Sequence, residues 1–129
     1  VACKVRDGQA IDLSMGHVNV IWQGDANSMA LRCLAHATTP TTPINVSGPE
    51  TIAIRWLAGE FGRLLGKKPA LAGTEAKSGW VTNTKRMQAE FGMLSVPLAR
   101  MIEWTAEWVS RAMPSLGKPT HYEGRDGRY

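Results

Sequence analysis

The chain has 129 residues, 43% of them hydrophobic and 20% charged, the balance of one folded domain rather than of a disordered tail. Its formal charge of +4 and pI near 9.4 come from scattered residues, with only Lys67-Lys68 and Lys85-Arg86 clustered, so no nucleic-acid partner is expected. No apolar run approaches the ~20 residues of a membrane helix and no charged-then-apolar leader opens the chain, so the expectation is a cytoplasmic protein without a membrane partner.

Val1 to Arg6 reads as the end of a helix, with Ala2 and Val5 on a fragment of an apolar face before Asp7-Gly8 stops it. Because the sequence opens on Val rather than Met, a segment upstream is expected. Gln9 to Gly16 is a loop in which Ile11 and Leu13 form a brief extended pair. Val18 to Trp22 is rich in β-branched and aromatic residues and is bounded by Gly16 and by Gly24-Asp25, which predicts a strand. From there Ala26, Met29, Ala30, Cys33, Leu34 and Ala37 fall on one helical stripe, with Asp25 as its N-cap. A strand that turns into a helix within one or two residues is typical of α/β layers, where ligands tend to sit at the strand's C-terminal end.

Thr38 to Pro43 is a polar, proline-punctuated connection, and Ile44-Asn45-Val46 is read as a small strand closed by Ser47-Gly48-Pro49. The next helix carries Ile54, Leu57, Ala58, Phe61 and Leu65 on one stripe, with Thr51 as its cap, Gly66 as its stop and Pro69 just beyond. Lys67 to Ser78 is loop, with an extended piece at Pro69 to Ala72. Asn83 or Thr84 caps a short helix with Met87 and Phe91 inward and Gly92 at its end. Pro97 opens a last helix whose Leu98, Met101, Ile102, Thr105, Trp108 and Val109 make a wide apolar stripe. The fold class expected is α/β, small strands alternating with about four helices, as a single domain over 1–112 and an irregular tail over 113–129.

Four blocks carry a family resemblance. They are Ile21-Trp22-Gln23-Gly24-Asp25-Ala26-Asn27; Ile44-Asn45-Val46-Ser47-Gly48 with the helix from Ile54; Leu65-Gly66-Lys67-Lys68-Pro69; and Asn83-Thr84-Lys85-Arg86 to Phe91-Gly92, followed by Pro97 to Arg111. In order and spacing, over roughly residues 9 to 112, they resemble the C-terminal, substrate-domain part of the extended short-chain dehydrogenase/reductases, the NAD-dependent epimerase/dehydratase family. The first is similar to that family's I-H-V-x-D-L-A stretch, with the Asp kept and Trp22 in place of the His. The others resemble its Y-N-x-G-x-G strand end, its L-G-x-x-P, and its D-x-S-K-x-x-x-x-L-G with a proline-led last helix.

The resemblance implies NAD or NADP for a full-length parent. The sequence has neither the family's G-x-x-G-x-x-G fingerprint, which cradles the pyrophosphate, nor its Y-x-x-x-K pair, which moves the proton. Tyr122 and Tyr129 have no Lys four residues later, and Gly59 to Gly66 sit inside a helical pattern. This chain alone is therefore expected to bind no cofactor and to hold no catalytic residue, while the parent's reaction, epimerase, dehydratase or reductase, stays open. Val18 stands where nucleotide-sugar enzymes of the family have a basic residue reaching phosphate, which argues against a nucleotide-sugar substrate.

The candidate substrate-binding residues are Trp22 and Gln23 at the strand end, His17 and Asn19 beside the strand, and Trp80 in a loop. Against this, Trp22 reads as core, Asp25 as a helix cap and Gln23 as a turn donor. Trp56, Trp104 and Trp108 read as packing. His17, His36, His121, Cys3 and Cys33 have no metal-ligand spacing, so no metal is expected, and the two cysteines read as reduced thiols. No elbow motif supports Ser28, Ser47 and His36 as nucleophile and base.

Two functions follow. The chain is a substrate-side fragment of an epimerase/dehydratase-like protein, or it is a free-standing, non-enzymatic module that binds a small ligand or self-associates. A homodimer is expected, because in the resembled enzymes the strand matching Ile44-Asn45-Val46 adds to the edge of a Rossmann sheet and the helices beside it pack on that domain. Without that sheet, strand edge and helix faces favour a second copy.

Overall fold

Apolar residues one helical turn apart set most of the elements in the computed structural model, which describes residues 1–77 and 79–118. In chain order these are α1 (Ala2–Arg6), β1 (Ala10–Asp12), β2 (His17–Val18), α2 (Gln23–Cys33) running into a 3-10 turn (Leu34–His36), β3 (Ile52–Ala53), α3 (Ile54–Leu65), β4 (Ala70–Ala72), α4 (Lys85–Phe91) and α5 (Leu98–Ser110). β1 pairs in parallel with β4, Ile11 opposite Leu71, and β2 pairs antiparallel with β3, His17 opposite Ala53 and Val18 opposite Ile52. The class is mixed α/β, as the sequence predicts. Residues 113–118 form no regular element, and the expected tail beyond Lys118 lies outside the described residues.

The main core gathers Ala2 and Val5 of α1, Ile11 and Leu13 beside β1, Ile52 of β3, Ile54, Leu57, Ala58 and Phe61 of α3, and Ile102, Ala106 and Val109 of α5. α3 is the element the sequence describes best. Its predicted stripe is buried at Ile54, Leu57, Ala58 and Phe61, and Gly66 takes φ 64, a left-handed C-cap that any side chain would strain. Its start differs: Ala53, not Thr51, is the N-cap and offers no side-chain bond. The reason is long-range, since the N–H of Ile54 is already satisfied by the carbonyl of Gly16 at 2.9 Å.

Three further expectations are corrected. The strand predicted from Val18 to Trp22 stops at Val18, and Trp22 is the extended N-cap of α2, with Gln23, Gly24 and Asp25 forming its first turn. Past Val18 the linkage passes to the Asn19 side chain, whose Nδ2 donates to the carbonyls of Gly48 (3.0 Å) and Thr82 (2.9 Å). Ile44-Asn45-Val46 enters no ladder among the described residues. Pro43 brings no N–H to this segment, and Ile44 and Val46 instead pack on a second cluster formed by Met29, Met87 and Phe91. Asp25, expected as an N-cap, lies three residues inside α2, and it decides which side of that helix is buried.

α2 buries Asp25 and Met29, while Leu34, on the predicted stripe, is 75% exposed. The helix is turned toward α4 and the segment before α5. Arg32 Nη1 donates to the carbonyl of Phe91 at 3.0 Å, its guanidinium lies 4.8 Å from the Phe91 ring centre, and the His36 ring meets the same ring edge-on at 5.1 Å. The helix is thus oriented by polar and cation–π contacts from Asp25 and Arg32, which a count of apolar residues does not register.

Candidate functional site

The last helix contains two apolar stripes where the sequence suggests one wide one. Ile102, Ala106 and Val109 face the core, being small or branched enough to let α5 approach α1 and α3 closely. Met101, Trp104, Thr105 and Trp108, spaced i, i+3, i+4 and i+7 on the neighbouring side, line an open groove instead, whose opposite wall is Ile21, Trp22 and Gln23. The groove measures about 390 Å³, within the range of small-molecule sites. Trp104 is 46% and Trp108 48% exposed, and Trp56, Trp80 and Trp22 are likewise exposed, so the expectation that most tryptophans are packing, and that Trp22 is core, is corrected.

Trp22 and Trp104 form a corner, their ring centres 6.3 Å apart and their planes at 65°. Trp22 is held there by its own helix. A Cβ built on Gly24 would run into the indole of Trp22, so the ring lies back over the first turn of α2 only because residue 24 has no side chain. Gln23 donates from Nε2 to Asn27 Oδ1 at 2.9 Å, which fixes its amide on the groove wall and leaves its carbonyl oxygen as the acceptor it offers. At the far end Trp108 Nε1 donates to the carbonyl of Pro114 at 3.1 Å.

The carboxylate of Asp25 sets the distance across the groove. It accepts hydrogen bonds from Ser95 Oγ (2.6 Å), from Ser95 N–H (3.1 Å) and from Val96 N–H (3.1 Å), so the start of α2 is tied to the residues that lead into α5. Burial pushes this carboxyl up, but the hydroxyl of Ser95 and the N–H groups of Val96 and Ser95 together outweigh it and hold its pKa below the ordinary carboxylate value.

The five predicted site residues separate into two places. Trp22 and Gln23 are in the groove. His17, Asn19 and Trp80 gather at the other end of the same segment, where His17 is paired in β2, Val18 bridges to Trp80, and Asn19 joins residues 48 and 82, accepting the N–H of Thr82 (3.3 Å) on Oδ1. Asn19 thus has a structural role in clamping two loops. Met101, Trp104, Thr105 and Trp108 are absent from the sequence-based set of site residues, although the second stripe of α5 was a signal for them.

Gly59 and Gly62 lie inside α3, and a Cβ on Gly62 would come within 2.7 Å of the Lys67 carbonyl, so this glycine serves the close return of the chain rather than a phosphate. Among the described residues no group of three or more His, Cys, Asp or Glu is placed to hold a metal ion, and no helix is long and apolar enough to cross a membrane. No family model, no curated protein and no solved structure matches the chain.

Proposed function

We propose that this chain is the substrate-side portion of an NAD-dependent epimerase/dehydratase-like protein, that it forms one wall of a small-molecule site in the groove between residues 21–23 and α5, and that it is inactive by itself. The observation that carries the reading is the placement of Trp22 and Gln23. They occupy the turn into α2, where the resemblance puts the approach to the ligand cleft, and they face an open, preformed aromatic groove. NAD or NADP belongs on this reading to a part of a longer parent, since this chain has neither the glycine fingerprint nor the Tyr–Lys pair. Cys3 and Cys33, both unpaired thiols, support a cytoplasmic setting. The test is the coding DNA upstream of Val1: an in-frame glycine-rich fingerprint and a Y-x-x-x-K pair support the reading, and a stop codon directly upstream overturns it.

The second reading, a free-standing module that self-associates, is favoured by Leu31 and Leu34, which are 70% and 75% exposed on the outer side of α2 and the turn after it. A two-fold dimer through these residues covers them and leaves the groove open.

A further inference from the structure

We propose that the groove takes an electrically neutral ring compound, its apolar face laid on the indole of Trp22 or Trp104; this rests on reading the groove as a ligand wall. Charge carries the argument. None of Ile21, Trp22, Gln23, Met101, Trp104, Thr105 and Trp108 is titratable. The charges that flank it on α5 pair with one another at the surface, Arg100 Nη1 on Glu103 Oε2 at 2.9 Å and Arg111 Nη2 on Glu107 Oε1 at 2.8 Å. Against this lining a phosphate or carboxylate loses hydration and meets no cation, and a cation meets no carboxylate, whereas a neutral ring loses only water held against indole.

Shape and polarity narrow the ligand further. The Trp22–Trp104 corner offers one indole face as a floor and the edge of the other as a wall, so a single ring fits where a slab between two parallel faces does not. The carbonyl oxygen of Gln23 and the hydroxyl of Thr105 supply an acceptor and a donor–acceptor at the rim, suited to a hydroxyl or N–H substituent. Because Trp22 rests on Gly24, this corner is preorganised and costs little ordering on binding. A neutral saccharide, through its C–H face, and a neutral heteroaromatic, through its π face, share this chemistry.

The experiment follows the indole N–H resonances of the ¹⁵N-labelled chain during titration with a neutral glucose trisaccharide in one arm and caffeine in the other. Glucose 6-phosphate and AMP are the charged counterparts. The expected result is saturable shifts of the Trp22 and Trp104 signals with one neutral compound, insensitive to salt, and weakened about tenfold by Trp104→Ala and by Gly24→Ala. The Gly24 variant keeps α2, since alanine favours a helix, but displaces the Trp22 ring, so it separates loss of the site from loss of the fold. Tighter binding of a charged counterpart at the same indoles overturns the neutral-ring class and spares the groove reading. Shifts with none of the four compounds, or shifts that track protein concentration because a second copy covers the groove, overturn both.

Discussion

The hydroxyl of Ser95 donates a 2.6 Å hydrogen bond to Asp25 Oδ1, joining residues 70 positions apart in the chain. With the N–H groups of Ser95 and Val96 on the same carboxylate, it fixes where α2 starts relative to α5 and therefore how far Trp22 stands from Trp104. Asp25→Ala leaves three donors without their acceptor at a residue that is only 6% exposed. At roughly 1.5–3 kcal/mol for a hydrogen bond to a charged group, the expected loss is at least about 3 kcal/mol, read from the denaturant midpoint at neutral pH.

The same contact makes stability depend on acid. The hydrogen bonds favour the ionised form and hold the folded pKa of Asp25 below its unfolded value, which is near ~3.9. The stabilisation is then complete above that value and is lost as pH falls through the folded pKa. Asp25→Asn, which cannot ionise, is expected to be less stable than the parent chain at pH 7 and to lose less than the parent chain between pH 5 and pH 2. Urea melts of both chains across that range check it, and parallel acid limbs would remove Asp25 as a source of the effect.

What the sequence makes legible here is what a residue's near neighbours decide. α3 was readable because its apolar spacing, its Gly66 stop and Pro69 all act within one or two turns, and Met87, Phe91 and Gly92 define α4 in the same way. Asp25 was misread because capping is a local pattern, while its real partners lie near residue 95. In α5 the apolar spacing marks both faces equally, and only the fit of Ile102, Ala106 and Val109 against α1 and α3 decides which is buried. The groove was half legible for that reason: Trp22 and Gln23 come from a recognisable turn, but the facing tryptophans look like core until the packing is known.

Phe61 and Trp108 separate the two faces. Each lies on an apolar stripe predicted for its helix, yet Phe61 is 5% exposed and Trp108 48%. Phe61→Ala is expected to cost about 3–5 kcal/mol through lost burial and the cavity left behind, and Trp108→Ala about 1 kcal/mol or less. Equal shifts in the denaturant midpoint would contradict the placement of Trp108 outside the core.

Gly48 tests the clamp at Asn19. Its carbonyl accepts from Asn19 Nδ2, and a Cβ on Gly48 would strike the backbone carbonyl of Val20, a group that cannot swing aside as a side chain can. Gly48→Ala is expected to destabilise by about 1–3 kcal/mol and to broaden the amide resonances of residues 18–20 and 80–82. A variant as stable as the parent chain would mean that the two loops are free to separate.

The dimer expected from the sequence loses one of its two supports. Ile44-Asn45-Val46 forms no strand here, and Ile44 and Val46 are drawn onto Met29, Met87 and Phe91, so no strand edge is offered for pairing at that place. What remains is apolar exposure on helices, above all Leu31 and Leu34. Leucines three residues apart on one side of α2 and the turn after it can meet their own copies across a two-fold axis, each filling the space beside the other. Sedimentation equilibrium at micromolar concentration is expected to give the dimer mass, and the double substitution Leu31→Lys with Leu34→Lys the monomer mass, because like charges then face each other across the axis. A parent chain of monomer mass throughout that range would end the dimer reading while leaving the groove, which lies on α5, untouched.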